Sequence, residues 1–164
     1  MSSDTTRVLH ELAPVFDEKS RVLILGTMPS PKSREAGFYY MHPQNRFWKT
    51  LCAVLGEPLP DSISGRRKLC LKHGIALWDV LASCDICGAS DSSIKNAVPN
   101  ALDEVFQSAE IRAVFTTGKK AQALYERFFP NGIPAVCLPS TSPANRAVSD
   151  EMLLEKYAVI KSFL

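Results

Sequence analysis

The chain has 164 residues, 46% of them hydrophobic and 22% charged, with a formal net charge of +2. These values fit one globular domain spanning residues 1–164, and they exclude a disordered polyelectrolyte and a protein whose overall charge alone announces a nucleic-acid partner. No apolar run reaches transmembrane length, and the opening "MSSDTTRVLHELAP" has neither the basic start nor the apolar block of a signal peptide, so a soluble cytoplasmic protein without membrane association is expected.

In chain order, "RVLILG" (21–26) is a short continuous apolar run closed by glycine, the pattern of a buried parallel strand. A long segment, "GTMPSPKSREAGFYYMHPQN", separates it from "NRFWKTLCAVLG", which places Phe47, Leu51, Val54 and Leu55 near one helical face and stops at Gly56. Loops of that length in compact domains are usually functional or disordered, and the aromatics Phe38, Tyr39 and Tyr40 argue against disorder. "RRKLCLKHG" reads as a helix leading into a second strand, "IALWDVL" (75–81). "ASCDICGASDSSIKN" follows as a loop, then the helix "NALDEVFQSAE" and a third strand, "IRAVFTTG" (111–118). "GKKAQALYERFF" is helical, and "IPAVCLPS" (133–140) is a fourth strand, bounded by prolines. The loop "LPSTSPANR" then leads to a last helix, "DEMLLEKYAVIKSFL", which starts after Ser149, a good N-cap with two acids in its first turn.

Strands alternating with helices imply an α/β fold with a mainly parallel sheet covered on both faces. Ligands in such folds bind beyond the carboxyl ends of the strands, so the three loops named above are the places to look for chemistry. Nucleotide-phosphate motifs fail there. "GTMPSPKS" lacks the second glycine and the lysine position of a phosphate loop, "TTGKKA" would need glycine where Ala113 stands, and a dinucleotide fingerprint would need more than Gly26. The five cysteines read as reduced thiols, and the lone Cys84/Cys87 pair has too few companions for a zinc or iron–sulfur site, so no metal and no cofactor is expected. What remains is a strand-end turn, aromatics able to stack on a base and a hydroxyl-rich loop able to bind phosphate and sugar oxygens. Together these suggest a pocket for a base flipped out of DNA.

"LILGTMPSPKS…GFYYMHPQNRFW" resembles the first motif region of the uracil-DNA glycosylase superfamily, and "LPSTSPAN" resembles its second motif. The combination of Met28 in G-T-M-P-S with H-P-Q-N-R-F-W is most similar to the hypoxanthine-DNA (deoxyinosine) glycosylase branch, and the likeness runs from about Arg21 to Arg146. The resemblance implies a three-layer α/β/α sandwich around a four-stranded parallel sheet. It also implies a repair glycosylase that hydrolyses the N-glycosidic bond of a deaminated base, hypoxanthine first, acting on DNA as a monomer. A uracil or mismatch glycosylase, or a non-catalytic nucleic-acid-binding module, are the alternatives. Many members carry a water-handling Asp or Asn where Met28 stands; the resemblance to the deoxyinosine branch implies that the asparagine of H-P-x-N, Asn45 here, takes that role, its competing role being to cap the helix that follows. The four-cysteine cluster of some relatives does not carry over, because its N-terminal cysteine pair is missing.

On this pattern Tyr40 stacks on the extruded base, with core packing as its other reading, since Phe38 and Tyr39 compete for the task. Gly26, Thr27 and Met28 face the base, and Trp78 and Asp79 stand at a strand end where relatives place base-reading groups. Ser30, Ser140, Thr141 and Ser142 are expected on the DNA backbone, and Asn145 or Arg146 in the space the base leaves. His42 reads as a hydrogen-bonded loop histidine rather than an acid catalyst.

Overall fold

A computed structural model describes residues 5–164. Its centre is a four-stranded parallel sheet in the order β3-β2-β6-β7, built from β2 (Val22–Gly26), β3 (Ile75–Asp79), β6 (Ala113–Thr117) and β7 (Ala135–Leu138). These are the four apolar runs of the sequence. Every residue of β2 and β3 is buried, as expected for strands covered on both faces. The expected α/β/α arrangement is borne out, with α2 (Phe47–Leu55), α3 (Ile63–Lys72), α4 (Asp103–Ser108), α5 (Lys119–Phe128) and α6 (Asp150–Tyr157) connecting or closing the strands.

Helix ends follow local chemistry. α3 begins earlier than "RRKLCLKHG" because Ser62 Oγ accepts the Gly65 N–H at 3.0 Å. Ser149 caps α6 as expected, accepting the Met152 N–H at 3.1 Å, and the chain then tightens into a 3-10 turn over Ala158–Phe163. Gly56 takes the left-handed conformation that ends α2, at φ 69°.

Two features depart from the expectation. First, the segment 82–96 is not a loop: β4 (Leu81–Cys87) pairs antiparallel with β1 (Thr5–Leu9) and with β5 (Lys95–Pro99) in a second sheet of order β1-β4-β5. A serine, two cysteines and an aspartate make "LASCDIC" a poor strand by propensity, and pairing on both edges overrides this. The chain changes sheets at Val80, whose N–H bonds the Gly26 carbonyl at 2.8 Å, while Asn100 Nδ2 braces the corner by donating to the Asp79 and Leu81 carbonyls, each at 2.9 Å. Second, the long first loop contains α1 (Pro31–Ala36), opened by Ser30 and Pro31 and closed by Gly37 at φ 80°. At six residues it is too short to show a helical period.

Among the described residues no helix is long and apolar enough to cross a membrane. The central strands carry the core, with Leu23, Ile24 and Leu25 fully buried. Ile24→Ala is expected to cost about 2–5 kcal/mol in urea unfolding, through lost burial and the cavity left behind. A loss well below about 1 kcal/mol would show that the sheet centre is not where stability resides.

Candidate functional site

A cavity of about 290 Å³ opens at the carboxyl ends of the parallel strands. Its floor is made by the last residues of three of them: Gly26 of β2, Asp79 of β3 and Thr117 of β6. The β2–β3 register sets Gly26 directly beside Asp79. A Cβ on Gly26 would lie 2.5 Å from Asp79 Oδ1, 3.2 Å from Tyr40 Oη and 3.5 Å from Thr117 Oγ1. Glycine is therefore required here by close approach, and its absence of side chain leaves three polar groups converging on one point.

The aromatic segment divides its labour. Phe38, Tyr39, Phe47 and Trp48 are buried, with Phe38 stacked on Trp48 and the Trp48 indole N–H donating to the Tyr39 carbonyl at 2.9 Å. Tyr40 is different. It is partly exposed, sits at φ 55°, and lies flat on Phe47 with ring centroids 3.8 Å apart and planes 14° from parallel. A left-handed backbone is costly for a bulky residue and persists where the surroundings demand it. Tyr40 Oη and Thr117 Oγ1 are 3.2 Å apart. The surrounding protein first, and the Asp79 carboxylate second, raise the Tyr40 phenol well above its ordinary value, so it stays protonated.

Asn45 lines the cavity, and its Oδ1 accepts the Phe47 N–H at 2.9 Å, two residues on. The formal N-cap of α2 is Arg46, which makes no side-chain cap bond. Asn45 thus supports the helix entrance, and that bond fixes its amide plane with Nδ2 unbonded among the described residues. Arg46 points the other way and clasps the last loop: Nη1 donates to the Val148 carbonyl at 2.7 Å and to Asp150 Oδ1 at 3.0 Å, and Nη2 to the Asn145 carbonyl at 2.9 Å. The hydrogen bond from Lys49, and after it that from Arg46, holds the Asp150 carboxyl below its usual range.

Of the residues predicted from sequence, Gly26, Thr27, Met28, Ser30, Tyr40, Asn45, Asp79, Ser140, Thr141 and Ser142 line this one cavity. Several have local duties too. Ser30 Oγ accepts the Ser33 N–H at the start of α1, Ser140 Oγ accepts the Ser142 N–H, and Ser142 Oγ accepts the Ala144 N–H, each at 3.2 Å. Thr141 is 1% exposed, which leaves Ser140 as the more reachable hydroxyl of that pair. Three predicted residues stand apart. Trp78 is buried behind the strand end, its indole N–H without a partner among the described residues; Asn145 Nδ2 holds its own loop through the Ser140 carbonyl at 2.9 Å; Arg146 is exposed beyond the cavity. His42 Nδ1 accepts the Gln44 N–H at 3.1 Å while its side chain lines the wall.

Sequence reasoning missed several participants. Thr117 ends a strand, and Ile86, Gly88 and Asp91 reach the cavity on the β4–β5 hairpin, a segment whose sequence reads as loop. His10 is a further participant. Its Nε2 lies 2.8 Å from Asp79 Oδ2, with the two side chains only 1% and 4% exposed. A single histidine after a polar N-terminal strand carries no motif, and only the fold brings it under the cavity floor. No group of three or more His, Cys, Asp or Glu among the described residues is placed to hold a metal ion.

Comparison with known proteins places these features in context. Residues 13–162 match the Uracil DNA glycosylase superfamily. The chain is 33% identical over 149 residues to a Hypoxanthine DNA glycosylase of Methanosarcina acetivorans, covering 90% of this chain and 94% of that one. It is also 33% identical over 135 residues to a Hypoxanthine DNA glycosylase of Methanosarcina barkeri, covering 81% and 85%. The fold superposes with a TM-score of 0.82 on the solution NMR structure of a candidate uracil DNA glycosylase from Methanosarcina acetivorans, at 30% identity and covering 96% and 99% of the two chains.

The clasp from Arg46 joins two walls of the cavity, so its removal tests whether they depend on each other. Arg46→Met leaves the Val148 and Asn145 carbonyls unpaired and is expected to cost about 1–3 kcal/mol in thermal unfolding. Amide exchange over residues 141–146 should accelerate in the same variant, and unchanged exchange there would show that the loop holds itself.

Proposed function

The chain belongs to the uracil DNA glycosylase superfamily, and on that basis we propose that it excises hypoxanthine from deoxyinosine in DNA, working as an intracellular monomeric repair enzyme. The observation that carries the reading is the cavity floor. A glycine stripped of side chain lies among Asp79 Oδ1, Tyr40 Oη and Thr117 Oγ1, with the flat face of Tyr40 and the Asn45 amide on the same wall. Two relatives that cover most of the chain carry the name Hypoxanthine DNA glycosylase.

The chemistry asked of such a site is modest. Water forms a bond to C1′ of the deoxyribose as the bond from C1′ to the base nitrogen breaks. The electron pair leaves with the base, where the oxygen and ring nitrogens of hypoxanthine spread the charge, and the proton from water is passed to solvent or base. The protein holds the extruded base, stabilises the departing charge and places the water. Tyr40, backed on one face by Phe47, offers its other face as the stacking platform. Asn45 keeps the water in place through its unbonded Nδ2, its Oδ1 being anchored on Phe47. Ser140 and Ser142, which line the cavity, bind the flanking DNA backbone, and the exposed Arg146 enters the space the base leaves.

A competing reading, a binding module without catalysis, has one observation in its favour: the Asn45 oxygen is already engaged as a helix-entrance support. Two variants separate the readings. Asn45→Ala should slow single-turnover release of hypoxanthine by about 10²–10³, by analogy with deleting one preorganised polar group. It should also lower stability by about 1 kcal/mol as the support is lost. A destabilised variant that still releases base at the parental rate would reduce Asn45 to that support.

Tyr40→Leu removes the platform and should weaken base capture by about 1–3 kcal/mol, read as a fall in kcat/KM on a deoxyinosine duplex. Unaltered kcat/KM in a folded Tyr40→Leu protein would move the base away from this wall.

A further inference from the structure

The His10–Asp79 pair serves no purpose in the chemistry above, yet it is the most buried ionisable contact in the site. His10 Nε2 meets Asp79 Oδ2, and Asp79 Oδ1 is turned to the Gly26 side, where a missing Cβ leaves space. Oδ1 accepts no hydrogen bond among the described residues, and Asp79 lines the cavity. We propose that His10 is a positioning residue that locks Asp79 so that one carboxylate oxygen faces the cavity as a fixed acceptor, and that this pair distinguishes a deaminated base from its amino parent. The inference rests on the reading that a base enters this cavity.

The argument is one of donors and acceptors. Adenine and cytosine present a bare ring nitrogen beside an amino group. Deamination replaces the amino group with an oxygen and puts a proton on that ring nitrogen, giving the N–H and C=O edge of hypoxanthine and uracil. An ionised carboxylate only accepts hydrogen bonds, so Oδ1 attracts the ring N–H and repels the ring lone pair. Tyr40 Oη, converging on the same point, can donate to the neighbouring base oxygen. A buried carboxylate without a partner would be free to turn away, and the fixed acceptor would be lost. His10 prevents this from below, on the side the base does not reach. Guanine carries the same N–H and C=O edge as hypoxanthine, so the pair separates hypoxanthine from adenine and leaves its separation from guanine untouched.

The test uses the full chain and duplexes in which the target nucleotide is 2′-fluoro-2′-deoxyinosine, its adenosine counterpart or its guanosine counterpart, so that binding is read without cleavage. Wild-type protein should prefer the inosine duplex to the adenosine duplex. In His10→Phe, which fills the space without a donor, that ratio should fall by about tenfold or more, while the inosine-to-guanosine ratio stays at its wild-type value. His10→Gln, whose amide can donate to Oδ2, should recover most of the ratio, which a merely space-filling role would not require. If His10→Phe does not fold, Asp79→Asn is measured instead; its amide no longer presents an obligatory acceptor, and the same collapse is expected. A folded His10→Phe protein that keeps the wild-type inosine-to-adenosine ratio, or equal impairment in His10→Phe and His10→Gln, overturns the inference. A wild-type protein with no preference for inosine over undamaged duplex overturns the substrate reading itself, and the inference with it.

Discussion

The site depends on one register. β2 and β3 run parallel with Gly26 opposite Asp79, and the next residue of β3's chain, Val80, turns back to bond the Gly26 carbonyl before the strand leaves for the second sheet. Had β3 slipped by one position, Asp79 would face the other side of the sheet, because strand side chains alternate. Had any larger residue stood at position 26, its Cβ would collide with the carboxylate. Backbone pairing deep in the core therefore decides which polar atoms reach the cavity. The core is rigid enough to impose this, with all five residues of both strands buried.

Around that fixed floor the walls are held by short polar contacts. Ser33 Oγ accepts the Met41 N–H at 3.0 Å and so ties α1 to the aromatic segment. Tyr39 Oη donates to the Ala13 carbonyl at 3.0 Å, fastening that segment to the N-terminal stretch that also supplies His10. Tyr157 Oη donates to the Pro139 carbonyl at 2.6 Å and steadies the start of the hydroxyl-rich loop from the last helix. Residues of the same aromatic cluster thus do unlike work: Phe38 and Trp48 fill the interior, Tyr39 fastens from the cavity wall, and Tyr40 brings a partly exposed ring to the cavity.

Much of this was legible in the sequence. Apolar runs at 21–26, 75–81, 111–118 and 133–140 marked the central strands, and position after a strand marked the loops worth reading. The family likeness singled out Tyr40 and Asn45 among neighbours of similar chemistry. What escaped notice has physical causes. β4 hides behind serine, cysteine and aspartate, because a strand paired on both edges can form against its propensities. His10 acquires its partner through a contact spanning 69 positions, and no local pattern encodes such a distance. Asn145 looked like a ligand residue by composition, yet its amide closes its own loop, a use that turn-forming asparagines often have.

The Arg46 clasp has a consequence for how the protein comes into being. Its bonds to Val148 and Asp150 join positions 102 and 104 residues apart, so the two walls meet only after nearly the whole chain exists. Contacts of such long range form late and slowly, since the intervening chain must be ordered before they can hold. During synthesis the aromatic segment is made early, and Phe38, Phe47 and Trp48 must wait for partners while still exposed to water. The interval before α6 arrives is thus when this chain is most open to aggregation. A cavity whose walls lie about a hundred positions apart in the sequence also cannot be half built: a chain stopped before position 148 would carry Tyr40 and Asn45 but lack the clasp's far anchors. Activity and completion of the fold then arrive together.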